Sequence, residues 1–199
     1  RLIGTFNAYN LLAIYGTAVE LGLDYFEVLR LLSELESVSG RFQYIISNEK
    51  ITAIVDYAHT PDALENVLKT INDIRTKNEQ LITIVGCGGD RDKAKRPIMA
   101  NIASAMSDKT IITSDNPRTE KPEDIIADME QGVEPQNFKK TMSITDRKQA
   151  IQAACQMAQP NDIILIAGKG HETYQEIQGV RYDFDDMKIV KELLIQLNK

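Results

Sequence analysis

Two hydrophobic periods divide this chain of 199 residues. In its first part, Leu11, Leu12, Ile14, Tyr15, Ala18, Val19 and Leu21 recur at helical spacing, so residues 7 to about 38 read as helical. Gly22 closes the first run, and Asp24 is placed to cap a second helix through Leu35. Two such helices hold no core of their own, so their apolar faces call for a partner outside this chain. At Ser39-Gly40 the pattern changes. Residues 42–46 and 51–57 are apolar and flank a polar turn at 47–50, which is a hairpin signal. Thr60-Pro61 then opens a helix to about residue 75, with proline at the first helical position, where its missing N–H costs nothing. Strands follow at 81–85, 110–113, 140–144 and 163–167, with helices at about 96–106, 122–131 and 146–157 between them. A short strand at 182–184 and a helix at 186–197 close the chain.

Apolar strands alternating with helices predict an α/β fold, a mainly parallel sheet with helices on both faces. The predicted organisation is residues 1–38 as a helical piece of one domain and 39–199 as a second domain. Ligands of such sheets bind beyond the carboxyl ends of the strands. The glycine-rich and polar stretches 56–60, 86–92, 114–118 and 168–172 each follow a strand, so they are expected to meet at one site on one edge.

Composition narrows the function classes. Hydrophobic residues at 43% and charged residues at 26% are ordinary for a globular protein, and no apolar run approaches the roughly 18 residues of a membrane helix. A net charge of -6 gives no electrostatic footprint for DNA or RNA. Cys87 and Cys155 match no metal spacing and read as reduced thiols, and two histidines, His59 and His171, are too few for a histidine-based metal site. The chain starts Arg1-Leu2-Ile3-Gly4 with neither a methionine nor a signal-peptide pattern, which reads as the inside of a longer protein.

Four stretches carry candidate chemistry, and each has a plainer reading. Gly86-Cys87-Gly88-Gly89-Asp90-Arg91-Asp92 lets backbone approach a ligand, with Arg91 offering a fork of donors to a carboxylate or phosphate. It is otherwise a tight strand-to-helix turn, and it lacks the third glycine of a dinucleotide fingerprint, which disfavours a nicotinamide-dependent oxidoreductase. Gly168-Lys169-Gly170-His171-Glu172 contains Gly-Lys but not a complete phosphate loop, and taken alone it is an ordinary turn. Ser114-Asp115-Asn116-Pro117-Arg118 is either a plain Asn-Pro turn or a proline-stiffened loop that presents Asn and Arg side chains. In residues 55–62, Asp56 suits ribose hydroxyls and His59 suits phosphate or adenine, while Thr60 and Asp62 cap the next helix under either reading.

Taken in order, the stretches Phe6 to Leu12, Ser39-Gly40-Arg41-Phe42, Asp56 to Asp62, Gly86 to Asp92, Asp115-Asn116-Pro117-Arg118 and Ala167 to Tyr174 resemble the Mur ligase family, most closely those members that add the third amino acid of the peptide. The likeness runs from end to end. It implies a Rossmann-like C-terminal ligase domain at 39–199, preceded by the last helices of a central ATPase domain. By position, Asn10, Arg41, Asp56 and His59 would contact ATP. Arg91, Asp115, Asn116, Arg118, Gly168 and Glu172 would form the pocket for the incoming amino acid. The Asp-Asn-Pro-Arg form resembles members that add meso-diaminopimelate, because lysine-adding relatives usually lack this arginine. The resemblance further implies a cytoplasmic, monomeric, ATP- and Mg2+-dependent enzyme of peptidoglycan precursor synthesis. Its other substrate would be UDP-N-acetylmuramoyl-L-alanyl-D-glutamate. Magnesium would be held mainly outside this chain, with no metal site in it and no nucleic acid or membrane as partner. Two other readings stay open at this point: an L-lysine-adding ligase, and a non-catalytic Rossmann-like binding domain.

Overall fold

The chain divides into two units, Arg1–Val38 and Ser39–Lys199. A computed structural model describes residues 4–35 and 38–199, and for residues 5 and 6 the backbone alone. The part of the predicted helical stretch at residues 36–37, and the side chain of Phe6, lie outside the described residues.

In the first unit, α1 (Thr5–Glu20) and α2 (Tyr25–Glu34) form a helical pair. Gly22, with φ of +85°, turns the chain between them, and the Asp24 carboxylate accepts the Glu27 N–H at 3.0 Å, as an N-cap should. Leu12, Ile14, Leu23, Phe26, Leu29 and Leu31 are all exposed. The apolar stripe that specifies these helices therefore remains in contact with solvent.

The second unit is built on a six-stranded sheet of order β1-β2-β6-β3-β4-β5. Its strands are β1 (Gln43–Ile46), β2 (Thr52–Asp56), β3 (Leu81–Val85), β4 (Lys109–Ile112), β5 (Thr141–Ser143) and β6 (Ile163–Ala167). β1 pairs antiparallel with β2, and every other pairing is parallel. Every residue of β3 and β6 is buried, which is why these strands read as unbroken apolar runs. Helices α3 (Pro61–Ile74), α4 (Lys95–Met106), α5 (Pro122–Glu130), α6 (Arg147–Met157) and α7 (Asp186–Gln196) cover the two faces. One core joins Ala53, Val55, Ile84, Ile111, Ile164 and Ile166 of the sheet to α6 and α7 through Ile151, Ala154, Val190 and Leu194.

Two elements were not expected. A 3-10 helix at Pro135–Lys140 precedes β5. The predicted strand at 182–184 belongs to a separate antiparallel ribbon of β7 (Tyr174–Ile177) and β8 (Val180–Asp183). β7 reads Tyr-Gln-Glu-Ile, three half-buried residues and an exposed one, with no apolar run and no alternation, so it carries no strand signal of its own. The ribbon is nevertheless tied to the sheet edge: Arg118 N donates to Glu176 O at 3.0 Å and Gln178 N to Arg118 O at 2.7 Å.

The parallel strands end together at Asp56, Val85, Ile112 and Ala167. The loops that follow them share that edge. β6 lies between β2 and β3 although it is the last of the six sheet strands in the chain, so the sheet order switches direction where these loops meet.

Candidate functional site

The loop after β3 is made rigid by the loop after β4. Gly89 N donates to Asn116 O at 2.9 Å, and a Cβ on Gly89 would lie 2.0 Å from Pro117 O. Only glycine permits that approach. Asp90 accepts from Thr119 Oγ1 at 2.6 Å and Thr119 N at 3.2 Å, and its own N–H donates to Glu120 Oε1 at 2.7 Å. Glu120 in turn receives the buried Arg96 guanidinium, Nη2 to Oε1 at 2.8 Å and Nη1 to Oε2 at 3.0 Å. Hydrogen bonds from Arg96 and from the Asp90 N–H hold the Glu120 carboxyl down to about 2. Arg96 also binds Asp128 on α5 at 2.8 Å, so the clamp is rooted in two helices.

Arg118 sits at φ of +51°, and its Nη1 donates to Gly89 O at 2.8 Å. That single bond aims the guanidinium, and the remaining donors of the fork stay available. Beside it, Asn116 is buried and its amide orientation is fixed. Oδ1 accepts Glu176 N at 2.9 Å and Lys169 Nζ at 3.0 Å, while Nδ2 donates to Glu172 Oε2 at 2.8 Å. Gly168, with φ of +119°, brings the loop after β6 against Asp115, whose Oδ2 would lie 2.6 Å from a Cβ at that position.

These loops enclose an open cavity of about 730 Å3. Arg91, Asp115, Asn116, Arg118, Gly168 and Glu172, the six residues expected to form an amino-acid pocket, all line it, and so does His59. The structure thus brings seven of the ten expected site residues to one cavity. The other three stand elsewhere. Asp56 ends β2 at the same edge, but its Oδ2 accepts the Phe42 N–H at 2.7 Å and it does not line the cavity. Burial raises the Asp56 pKa above the usual carboxylate range, against the pull of the Phe42 and Ala58 N–H groups and of Arg41. Arg41 is exposed outside the cavity lining. Asn10 is exposed on α1, in the first unit.

Lys95 and Tyr174 also line the cavity and were not anticipated as site residues. Lys95 Nζ donates to His59 O at 2.8 Å and so ties α4 to the loop after β2. The Tyr57 ring, also in the wall, stands 4.5 Å from His59 and 5.0 Å from His171. Lys169 was passed over within a recognised stretch, because a lysine beside two glycines reads as an exposed turn residue; here it is fully buried. The sequence signal for it was the acid three residues on, at Glu172. Both cysteines are buried and free, and burial pushes each thiol up to about 12, which disfavours the thiolate form that a nucleophile requires. Among the described residues no group of three or more His, Cys, Asp or Glu could hold a metal ion, and no helix is long and apolar enough to cross a membrane.

Chemically, the cavity is lined by arginines, carboxylates and the Asn116 amide. That suits a small ligand carrying both signs of charge.

Comparison with known proteins agrees with this picture. The family model described as Mur ligase, glutamate ligase domain, matches residues 40–170. A UDP-N-acetylmuramoyl-L-alanyl-D-glutamate–2,6-diaminopimelate ligase from Cytophaga hutchinsonii is 60% identical over 199 residues, which is all of this chain and 41% of the relative. A solved structure of a ligase of the same name is 44% identical with a TM-score of 0.77, over 100% of this chain and 40% of the other. A MurF ligase from Thermotoga maritima, solved in complex with ADP, superposes at a TM-score of 0.56 with 16% identity over 90% of this chain and 35% of its own; it shows the shared fold alone. The chain therefore spans about 40% of the length of these two diaminopimelate ligases.

Proposed function

The chain belongs to the Mur ligase family, and from that premise we propose that it is the C-terminal part of the ATP-dependent ligase that joins meso-diaminopimelate to UDP-N-acetylmuramoyl-L-alanyl-D-glutamate. The observation that carries the reading is the convergence of Arg91, Asp115, Asn116, Arg118, Gly168 and Glu172 on one cavity. Meso-diaminopimelate differs from lysine by a carboxylate on its far carbon. Arg118, aimed by Gly89, offers that carboxylate a planar fork whose charge persists at any working pH. Glu172 meets the ammonium on the same carbon, and Asn116 supplies an amide between the two. The two ends of the far zwitterion are thus read together.

When bound, magnesium-ATP would supply the γ-phosphoryl group that converts the D-glutamyl carboxylate to an acyl phosphate, releasing ADP, and attack by the amino acid's amine would form the amide bond as phosphate leaves. This chain's contribution is to position that amine. We assign Asn10, Arg41, Asp56 and His59 to the ATP side. The residues fit a supporting role there: Thr60 caps the N-terminus of α3 next to His59, and Asp56 fixes the backbone beside Arg41 through Phe42 N. Magnesium and the UDP-linked substrate belong to the remainder of the protein under this reading, which makes it a cytoplasmic, monomeric enzyme of peptidoglycan precursor synthesis.

The test is a ligation assay on the full-length protein with meso-diaminopimelate and with L-lysine, each with ATP and UDP-N-acetylmuramoyl-L-alanyl-D-glutamate. Tripeptide product from meso-diaminopimelate, with lysine a much poorer substrate, is the expected result. Equal use of both amino acids would remove the role given to Arg118, and no product from either would remove the ligase reading.

A further inference from the structure

Lys169 has no place in the scheme above, yet it is fully buried beneath the cavity wall and does not line it. Its Nζ lies 3.0 Å from Asn116 Oδ1, 3.3 Å from Glu172 Oε2 and 3.4 Å from Asp115 Oδ1, with the Tyr174 ring centre at 5.6 Å. An ammonium taken out of water is costly unless it is paired and hydrogen-bonded, and an apolar side chain of the same volume often serves stability as well or better. A buried lysine that bridges the loops after β4 and β6 therefore asks what else it does.

The hydrogen bonds answer at one atom. Two donors, Lys169 Nζ and Asn116 Nδ2, meet on Glu172 Oε2. Glu172 Oε1 accepts no hydrogen bond from the described residues, and Glu172 lines the cavity. Lys169 also holds Asn116 Oδ1, and so keeps the Asn116 amide turned with Nδ2 toward Glu172. We propose that Lys169 is a positioning residue for the amino-acid substrate. By pinning Glu172 through Oε2 it presents Oε1 to the ammonium on the far carbon of meso-diaminopimelate. This rests on the reading of the cavity as the meso-diaminopimelate site. It predicts that Lys169, although it touches no ligand, governs recognition of one ligand group.

The test pairs a protein variant with a substrate analogue in the full-length enzyme. L-2-aminopimelate keeps the reacting amine and both carboxylates and lacks only the far ammonium. Lys169→Met removes the charge at nearly constant volume. With meso-diaminopimelate, Lys169→Met is expected to raise KM about tenfold or more while KM for ATP stays within about twofold. With L-2-aminopimelate, wild type and variant should agree within about threefold, because the group that Lys169 acts on is gone. A lysine that merely supports the loops would cost both amino acids alike, and that equal loss overturns the proposal, as does no loss with either. Should Lys169→Met fail to fold, Lys169→Gln keeps a donor without the charge. It is read by the same ratio of the two effects, expected to lie in the same direction and to be smaller. Failure of both variants to fold makes the lysine structural and also overturns the proposal. A wild-type enzyme that does not ligate meso-diaminopimelate at all sinks the assignment of the cavity itself, which the wild-type arm shows before any variant is made.

Discussion

Arg118 is positioned by backbone as much as by charge. Few non-glycine residues adopt a positive φ, and this one does so where Gly89 O can receive its Nη1. A charge-assisted hydrogen bond contributes roughly 1.5–3 kcal/mol, or about ten- to over a hundredfold in affinity. In the full-length enzyme, Arg118→Ala should therefore raise KM for meso-diaminopimelate by at least about tenfold and leave KM for ATP nearly unchanged. Arg118→Lys should recover only part of the loss, because an ammonium cannot reproduce the fork. Steady-state kinetics with each substrate varied in turn decides it, and a silent Arg118→Ala would mark the residue as a solvated surface charge. A second residue-scale prediction concerns acid. Glu120 is held down to about 2 by Arg96 and the Asp90 N–H, against an ordinary value of 4.5. Its folded pKa lies below its unfolded one, so the stabilisation is complete above about 4.5 and is lost as pH falls from there toward about 2. Unfolding midpoints followed over that window should drop with acid in the wild type. They should drop less steeply in Glu120→Gln, which starts lower and has no carboxylate to protonate. Parallel curves for the two proteins would remove Glu120 from the account.

At the scale of elements, the strands that carry the site were the most legible part of the chain. β3 and β6 stand at the residues read from the sequence, because a strand buried on both faces has no choice but to be apolar throughout. The loops after them were legible for a related reason: in a parallel sheet, everything that follows a strand lies on one edge. What stayed hidden was long-range pairing. β7 is held by β8 and by the backbone of Arg118, and neither partner is marked in its own four residues. Lys169 was hidden likewise, since its acceptors Asp115 and Asn116 lie more than fifty residues away and burial cannot be read from a lysine. The glycines show how tightly these loops are drawn. Gly168→Ala would put a Cβ 2.6 Å from Asp115 Oδ2 at a φ of +119°, so it should cost roughly 1–3 kcal/mol in strain alone. It should also weaken meso-diaminopimelate binding, because the loop after β6 must retreat from the wall. Ile166→Ala, in the middle of β6, should cost about 2–5 kcal/mol through the cavity it leaves, without a selective effect on any substrate. Chemical denaturation of both variants, set beside their kinetics, separates the two: a Gly168→Ala protein of wild-type stability and wild-type KM would show that the loop is not tight.

On the scale of the whole molecule, residues 1–38 and 39–199 differ in how far each satisfies its own hydrophobic pattern. The second unit buries the sheet strands β3 and β6 throughout and leaves its exposed apolar residues, such as Ile46, Phe138 and Ile195, dispersed over several elements. The core cluster that joins the sheet to α6 and α7 is made, among the described residues, by residues between 45 and 197, and the loop clamps of Arg96, Glu120 and Lys169 close within the same span. The first unit leaves Leu12, Ile14, Leu23, Phe26, Leu29 and Leu31 exposed, an apolar area uncommon on a monomeric soluble protein. Residues 39–199 alone should therefore unfold cooperatively, with a Tm within about 4 °C of that of the 199-residue chain, since a change near 1 kcal/mol moves Tm by roughly 2–4 °C at this size. The shorter protein should also bind less of a hydrophobic dye and stay monomeric at higher concentration, because the exposed stripe is gone. Calorimetry and sedimentation on the two lengths measure both effects. A Tm lower by well over 10 °C for residues 39–199 would mean that α1 and α2 complete its core, and the boundary at Ser39 would have to move.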